Sequence, residues 1–525
     1  MRGWRVRLRE PATWHVITLV LSAATLIFAA RHLWFYFDEW AFLVPSSPSL
    51  LFEPHVGHWS TTPILVTHAL RAIFGLGSYW PYILLSMAVH LAICHMLWRI
   101  MRRIGVNLWI ATALSFLLMV LGAGAENILW AFQFGFMGAM LLGLIVVLLV
   151  DTGSFGRGRW IAVVLLSVWS LTFSGTAIPL IFAAALVSLR WRGWGKTVAL
   201  FAPAGVIYIA WYLVFARGHA GSYGPTSPGG VGVGVPQYVG HEFVDGLEKV
   251  LPFAGFGAIA TFVLVVWAIL TFRAWTGVAV AGYALAAAAV VQAILTAFTR
   301  EGLGVAAASS GRYIYAIVSL FLPVIGLALT WFCRHQKPRI VIVVVLVLFT
   351  TGYNATLLLQ SAATSSGIEN ATHQRLSAAM TLIDRDPGAY SSGLVPEPIF
   401  APDVTVGDLR VMEKNGWIAP SGYNTSALLS VRTNLDVAVT SASRGPAEQG
   451  CSALRGPASA SVSDGPASSY VYTKHTETAV LTLSQGASVG DKRALTLHAG
   501  WTRIASDTGA TLHITSAKGF SFCGG

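Results

Sequence analysis

The feature that most constrains this chain is a succession of apolar runs, separated by short polar segments in which arginine and lysine cluster. A helix rises about 1.5 Å per residue and needs about 20 mostly apolar residues to cross a bilayer's hydrocarbon core. Runs of roughly that length occur at 14–34, 81–99, 106–122, 132–150, 160–174, 176–190, 197–216, 251–272, 276–297, 313–333 and 339–359. The pattern predicts about eleven transmembrane helices. The fifth and sixth runs are short and are separated at Ser174-Gly175. Composition agrees, because 55% of the residues are hydrophobic and 11% are charged, whereas a soluble domain carries about 25% charged residues. A water-soluble surface of this size is excluded. The N-terminus, MRGWRVRLRE followed by an apolar run, has the outline of a secretory leader. The length of that run and its aromatic continuation from Trp34 to Trp40 argue for a retained first span.

The net charge of +11 raises the question of nucleic acid. The basic residues lie in clusters between apolar runs, with no basic stripe carrying interleaved aromatics, so no nucleic-acid partner is expected. Their placement follows the rule for orientation in a bilayer. With the N-terminus cytoplasmic, the inner segments hold sixteen Lys and Arg against Glu10 and Asp151, while the outer loops hold six basic and eight acidic residues. The expected location is therefore a cell membrane, crossed many times. The odd span count places the C-terminal region outside the cytoplasm.

Two domains are expected, a transmembrane module over 1–360 and an extracytoplasmic, β-rich domain over 361–525. The fold class is mostly α, a polytopic transmembrane helix bundle with a small α+β or β-sandwich domain. In the tail a helix is expected at 371–385, and short alternating runs at 427–433, 469–473, 479–484, 494–500 and 511–515 read as strands between turns. Cys451 and Cys523 bracket most of them, and a disulfide is allowed outside the cytoplasm. Cys94 and Cys333 fall in apolar runs and read as small hydrophobes. In the first outer loop, Thr61-Thr62-Pro63 starts a helix that Gly75 and Gly77 end, expected to lie along the interface. A second outer loop, 217–250, is rich in glycine and proline and reads as mobile.

Chemistry-bearing residues collect in the outer segments. Asp38 and Glu39 follow the first span among Trp34, Phe35, Tyr36, Phe37, Trp40 and Phe42. Desolvation raises carboxylate basicity, which suits a general base acting on a hydroxyl. The plain alternative is a pair of interfacial charges. Glu53, His55 and His58 in EPHVGHW are packing residues or, with Asp38, ligands for a divalent metal. Glu126 and Asn127 sit in GAGAENILWAFQFG, where a glutamate either favours a helix N-terminus or faces an outer cavity. Arg300, Arg312 and Tyr313 surround the loop TREGLGVAAASSGRYIY. Arginine pairs with phosphate through its fork of donors, and it is also common in an aromatic interface belt. His90 and Gln292 lie inside spans, and an interhelical hydrogen bond is the expected role for His90.

An acidic pair directly after the first span, FDEWAFL, together with an interfacial helix in the same loop, AENILWAFQFGF and SGRYIYA, resembles the GT-C superfamily of polytopic membrane glycosyltransferases, in an actinobacterial form. Protein mannosyltransferases and aminoarabinose transferases are its better-known members. The resemblance covers roughly 14–335 and leaves the tail outside. It implies transfer of a sugar, with inversion, from a polyprenyl-phosphate lipid to a cell-envelope glycan or glycolipid at the extracytoplasmic face. By position it makes Asp38 the general base, Glu39 its neighbour or substitute, Arg312 the holder of the leaving phosphate, and Glu126 a residue that positions acceptor or sugar. No metal set aligns with it. Two other classes stay open, a catalytically silent glycan-binding scaffold and a transporter or lipid flippase for envelope precursors.

Overall fold

The computed structural model describes residues 10–218, 234–271, 279–334, 336–442, 451–462, 468–506 and 510–523. Residues 219–233 of the glycine-rich outer loop lie outside the described residues, and the rest of that stretch is largely helical, Val235–Val250, where a loop was expected. The chain divides into two compact units. One comprises Met1–Leu33, Ser47–Ala69 and Trp80–Ser365, and the other Trp34–Ser46, Leu70–Tyr79 and Ser366–Gly525.

The first unit is helical. In chain order it holds α1 (Pro11–Ala30), a hairpin of β1 (Pro54–His55) and β2 (His58–Trp59), most of α2 (Thr61–Phe74), α3 (Trp80–Arg103), α4 (Leu108–Met119) and α5 (Ala125–Leu129). Then come α6 (Phe134–Val150), α7 (Arg157–Leu171), α8 (Ala177–Trp211), α9 (Val235–Val250), α10 (Phe256–Thr271), α11 (Val280–Arg300), α12 (Gly311–Cys333) and the first part of α13 (Lys337–Arg385).

Seven helices among the described residues are long and apolar enough to cross a membrane, or eight if the bent pair Leu108–Met119 and Gly122–Leu129 is one span. The remaining expected spans fall on shorter or broken elements. α7 has 15 residues and α10 has 16. The runs at 176–190 and 197–216 share α8, which breaks at Gly193. Gly193 has φ +73°, a conformation open to glycine and costly for other residues. Large apolar side chains face outward, with Leu270 77% and Val214 71% exposed. Such surface is unfavourable in water and natural against lipid, so the helical unit is compatible with a membrane protein.

Close helix contacts need small residues. A Cβ at Gly138 would strike the Phe173 ring, and one at Gly143 would strike Leu180. Several polar groups among these helices are paired. His90 Nδ1 lies 2.8 Å from the Tyr315 hydroxyl and Nε2 lies 3.1 Å from Met119 O, so His90 joins three helical segments as expected. Asn354 donates to Val250 O and Thr350 O and accepts from the Ala123 N–H. Buried polar groups in an apolar surround need such partners, because water does not supply them.

The second unit contains two antiparallel sheets. Its strands are β3 (Ala438–Ala442), β4 (Cys451–Ala453), β5 (Ala458–Val462), β6 (Ser468–Thr473), β7 (Glu477–Gln485), β8 (Ser488–Val489), β9 (Arg493–Leu497), β10 (Gly500–Ala505), β11 (Thr511–Ser516) and β12 (Ser521–Cys523). One sheet runs β3-β10-β6-β12-β4, and the other β5-β11-β7-β8 with β9 also on β7. Alternate residues of β7, Ala479, Leu481 and Leu483, meet Val471 and Ile504 of the other sheet in one core. This is a β-sandwich core built on period-two burial.

The run at 427–433 is the exception to the strand reading, since it forms α15 (Thr425–Leu435), preceded by α14 (Val406–Lys414). Asn424 caps α15 by accepting the Ala427 N–H at 2.8 Å, and Arg432 pairs with Asp436 one turn on at 2.7 Å. A cap and an i,i+4 pair outweigh the β preference of a short apolar run.

Cys451 and Cys523 face each other across β4 and β12 and form the disulfide. It closes a sequence separation of 72 residues, which stabilises the folded domain by roughly 4 kcal/mol in the chain-entropy view. Replacing both cysteines by serine is expected to lower the calorimetric midpoint of the C-terminal transition in the full chain. An unchanged midpoint under oxidising conditions would contradict this.

Candidate functional site

The helical unit contains a cavity of about 440 Å³. The segment between α11 and α12 brings two guanidinium groups to its wall. Arg300 is the last residue of α11 and Arg312 the second of α12, and both line the cavity with Tyr313. The Arg312 guanidinium lies 5.3 Å from the centre of the Tyr313 ring.

The sequence Ser310-Gly311-Arg312 is explained by Glu126. Its carboxylate accepts the Ser310 hydroxyl at 2.7 Å and the Arg312 N–H at 3.1 Å, and it faces Arg312 Nε at 3.5 Å. A Cβ on Gly311 would come within 3.2 Å of the Glu126 side chain, so glycine makes room for the carboxylate. Glu126 therefore serves the N-terminus of a distant helix, where negative charge is favoured. Asn127, the next residue, lines the cavity.

The hairpin β1–β2 also lines the cavity. His55 and His58 are register partners, and Val56 and Gly57 between them have φ of +50° and +83°. Two positive φ values make the tight two-residue turn of a hairpin. At a β-branched valine this conformation is strained, and strain of this kind gathers near functional sites. Trp59 anchors the hairpin by stacking on Trp211 at 5.2 Å.

His58 lines the cavity, and His55 packs edge-on against Phe132. Burial, then the Arg300, His55 and Arg312 charges, lowers the His58 pKa to about 4, so its ring is neutral at physiological pH. Burial alone lowers His55 to about 4. Among the described residues no group of three His, Cys, Asp or Glu could hold a metal ion, so the expected Glu53, His55, His58 and Asp38 ligand set does not form.

Asp38 and Glu39 belong to the second unit, where they stand in a helical turn, Phe37–Glu39. Glu39 is 5% exposed and accepts the Tyr36 N–H at 3.1 Å and the Tyr79 hydroxyl at 2.8 Å. Those donors anchor it as a structural carboxylate. Asp38 is partly exposed, and it follows Phe37, whose φ of +54° is rare for a bulky residue. In the same unit, Glu369 accepts the Trp34 N–H, and His373 stacks on the Trp34 indole at 4.1 Å.

The structure thus brings Glu126, Asn127, His58, Arg300, Arg312 and Tyr313 together in the helical unit. Gln292, polar within an apolar run, also lines the cavity and was legible only as an intramembrane polar group. Glu242 read merely as one acid of an outer loop. It is 1% exposed on α9, and among the described residues its carboxyl oxygens have no hydrogen-bond partner. Tyr238, one turn earlier, is 0% exposed with its hydroxyl likewise unpartnered.

The fold and the cavity are those of a mostly helical protein, compatible with a membrane location, with two arginines on a largely apolar cavity and a disulfide-closed β-sandwich. Compared with protein-family models, curated proteins and solved structures, the chain matches none.

Burial raises the Glu242 pKa from 4.5 to about 9. The fold keeps this proton while the unfolded chain releases it, so stability falls as pH rises from 4.5 to about 9. Glutamine carries no such penalty. Glu242→Gln is expected to raise the melting midpoint at about pH 8, with the gap over wild type closing toward about pH 5. Equal midpoints for the two proteins at the higher pH would contradict a neutral, buried Glu242.

Proposed function

We propose that the chain is an integral membrane glycosyltransferase that moves a sugar from a polyprenyl-phosphate lipid to a cell-envelope glycan or glycolipid. The observation that carries this reading is the pair Arg300 and Arg312 on one cavity wall otherwise made largely of apolar and neutral polar groups. Two guanidinium groups in a weakly hydrated pocket favour an anion, and their planar donors match a phosphate. Apolar walls from Met137, Met140, Ile178 and Leu295 suit a prenyl chain. The basic bias of alternate segments supports a cytoplasmic N-terminus, with the sandwich and the reacting face outside.

It is the resemblance that assigns the proton of the acceptor hydroxyl to Asp38. The oxygen attacks the anomeric carbon from the face opposite the phosphate. The carbon–oxygen bond to phosphate breaks, its electron pair stays with the leaving polyprenyl phosphate, and the configuration inverts. Arg312, with Arg300, stabilises the negative charge gained by the leaving group. Glu126 keeps the start of α12 and the Arg312 side chain in position. Glu39 holds the turn that carries Asp38, through Tyr36 and Tyr79.

The test replaces the chromosomal copy with Asp38→Asn or Arg312→Ala. Each variant, at wild-type protein level, is expected to lose an envelope glycan modification. For Asp38→Asn the fall in transfer rate is about 10²–10⁴-fold, the usual contribution of a general base. Unchanged envelope glycans in both variants would overturn the assignment.

A further inference from the structure

The segment that carries Asp38 lies in the same compact unit as residues 366–525. That unit holds the segment at its start, in its middle and beyond the turn. At the start, the Trp34 N–H donates to the Glu369 carboxylate at 2.5 Å, and His373, one turn further along α13, stacks on the Trp34 indole at 4.1 Å. In the middle, the Phe37 N–H donates to Phe400 O at 2.5 Å. Beyond the turn, Arg71 donates to the carbonyls of Leu43 and Val44, and its guanidinium lies 4.1 Å from the centre of the Trp417 ring. The middle bond matters most, because it falls on Phe37, whose φ of +54° directs the chain into Asp38. A bulky residue keeps that conformation only where its surroundings fix it.

Phe400 is itself held by Glu397. Glu397 is 3% exposed, and one of its carboxylate oxygens accepts the Ile399 and Phe400 N–H groups at 3.1 and 3.2 Å. The other oxygen lies 2.9 Å from Arg375 Nη1, while Arg375 Nη2 pairs with Asp491, between β8 and β9. The Arg375 side chain is 12% exposed. A buried carboxylate that loses its cation takes a proton or moves toward water, and in both cases it accepts two N–H groups less well. A chain of contacts thus runs from the sandwich through Arg375 and Glu397 to Phe400, and from there to Phe37 beside Asp38.

We propose that Arg375 and Glu397 are positioning residues for Asp38, so that residues 366–417 complete the reacting segment. This rests on the assignment of the acceptor proton to Asp38 and adds the residues that fix its turn. Arg375 serves two carboxylates at once through its fork of donors, whereas lysine offers a single point of charge.

The experiment has three readouts. With the full chain in nanodiscs, amide hydrogen exchange is followed across 34–44, and affinity is measured for a short-chain polyprenyl phosphate. In cells carrying each variant as the chromosomal copy, the rate of envelope glycan modification is measured. Arg375→Met is expected to speed exchange across 34–44 by about tenfold, as loss of one charge-assisted hydrogen bond from a local opening allows. Exchange in β7 and β11 should stay at the wild-type rate, and so should lipid-phosphate affinity, which together report a folded protein. The modification rate is expected to fall. Arg375→Lys should recover part of both the protection and the rate, a rescue that follows the charge. Glu397→Gln should repeat the pattern of Arg375→Met and replaces it if that variant does not fold. Unchanged exchange across 34–44 overturns the inference, as does faster exchange with a wild-type modification rate, and both leave the Asp38 assignment standing. A wild-type rate in Asp38→Asn defeats that assignment and the inference with it.

Discussion

One carboxylate organises the cationic side of the cavity. Glu126 accepts the hydroxyl of Ser310 and the N–H of Arg312, and it faces the Arg312 guanidinium. Helix α12 starts there, so its position relative to α5 and the register of Arg312 depend on the same interaction. Close approach requires the small residues around it. A Cβ at Gly124 would lie 3.0 Å from Tyr315, and one at Gly311 3.2 Å from Glu126. One turn into α12, Tyr315 hydrogen-bonds to His90 and ties the helix to α3. The charged wall is thus set by a helix start, and a helix start has unpaired N–H groups that a carboxylate can satisfy.

A second constraint acts on the whole helical unit. Its outer surface is largely apolar, and its interior holds polar side chains, some of which join one helix to another. His90 and Asn354 do so through helix-to-helix hydrogen bonds. Asn127 Oδ1, Gln292 Oε1 and the Glu242 carboxyl, like the Gln133 side chain, have no hydrogen-bond partner among the described residues. Asn127 and Gln292 are lining residues of the cavity. Glu242 lies on α9, and a retained proton removes the cost of burying its charge.

Much of this was legible in the residues. Apolar runs gave helices at the expected places, because length and hydrophobicity alone decide whether a segment suits a bilayer. The break at Ser174-Gly175 and the stop at Gly75 follow from local chemistry, and Gly75 has φ +65°. The disulfide was legible from two cysteines flanking a strand-rich stretch. What could not be read depends on tertiary neighbours. ALLSVRT alternates like a strand, yet Asn424 and the packing of Leu429 against the sandwich core make it a helix. Gly193 is silent in an apolar profile, yet its φ of +73° sets the break between the two expected runs at 176–190 and 197–216. Glu39 looked equivalent to Asp38 in the sequence, and only Tyr36 and Tyr79 distinguish them. Within the cavity, the arginines and Asn127 stood out as polar residues near apolar runs. That Gln292 joins them in the lining emerges only from the fold.

The account rests on an anion lying between Arg300 and Arg312. A density map of the full chain in nanodiscs loaded with a short-chain polyprenyl phosphate tests that most directly. The account predicts phosphate density within hydrogen-bonding reach of both guanidinium groups, with the prenyl chain along Met137, Met140 and Leu295. A well-ordered lipid whose headgroup lies elsewhere, with the arginine cavity filled by water alone, would contradict it.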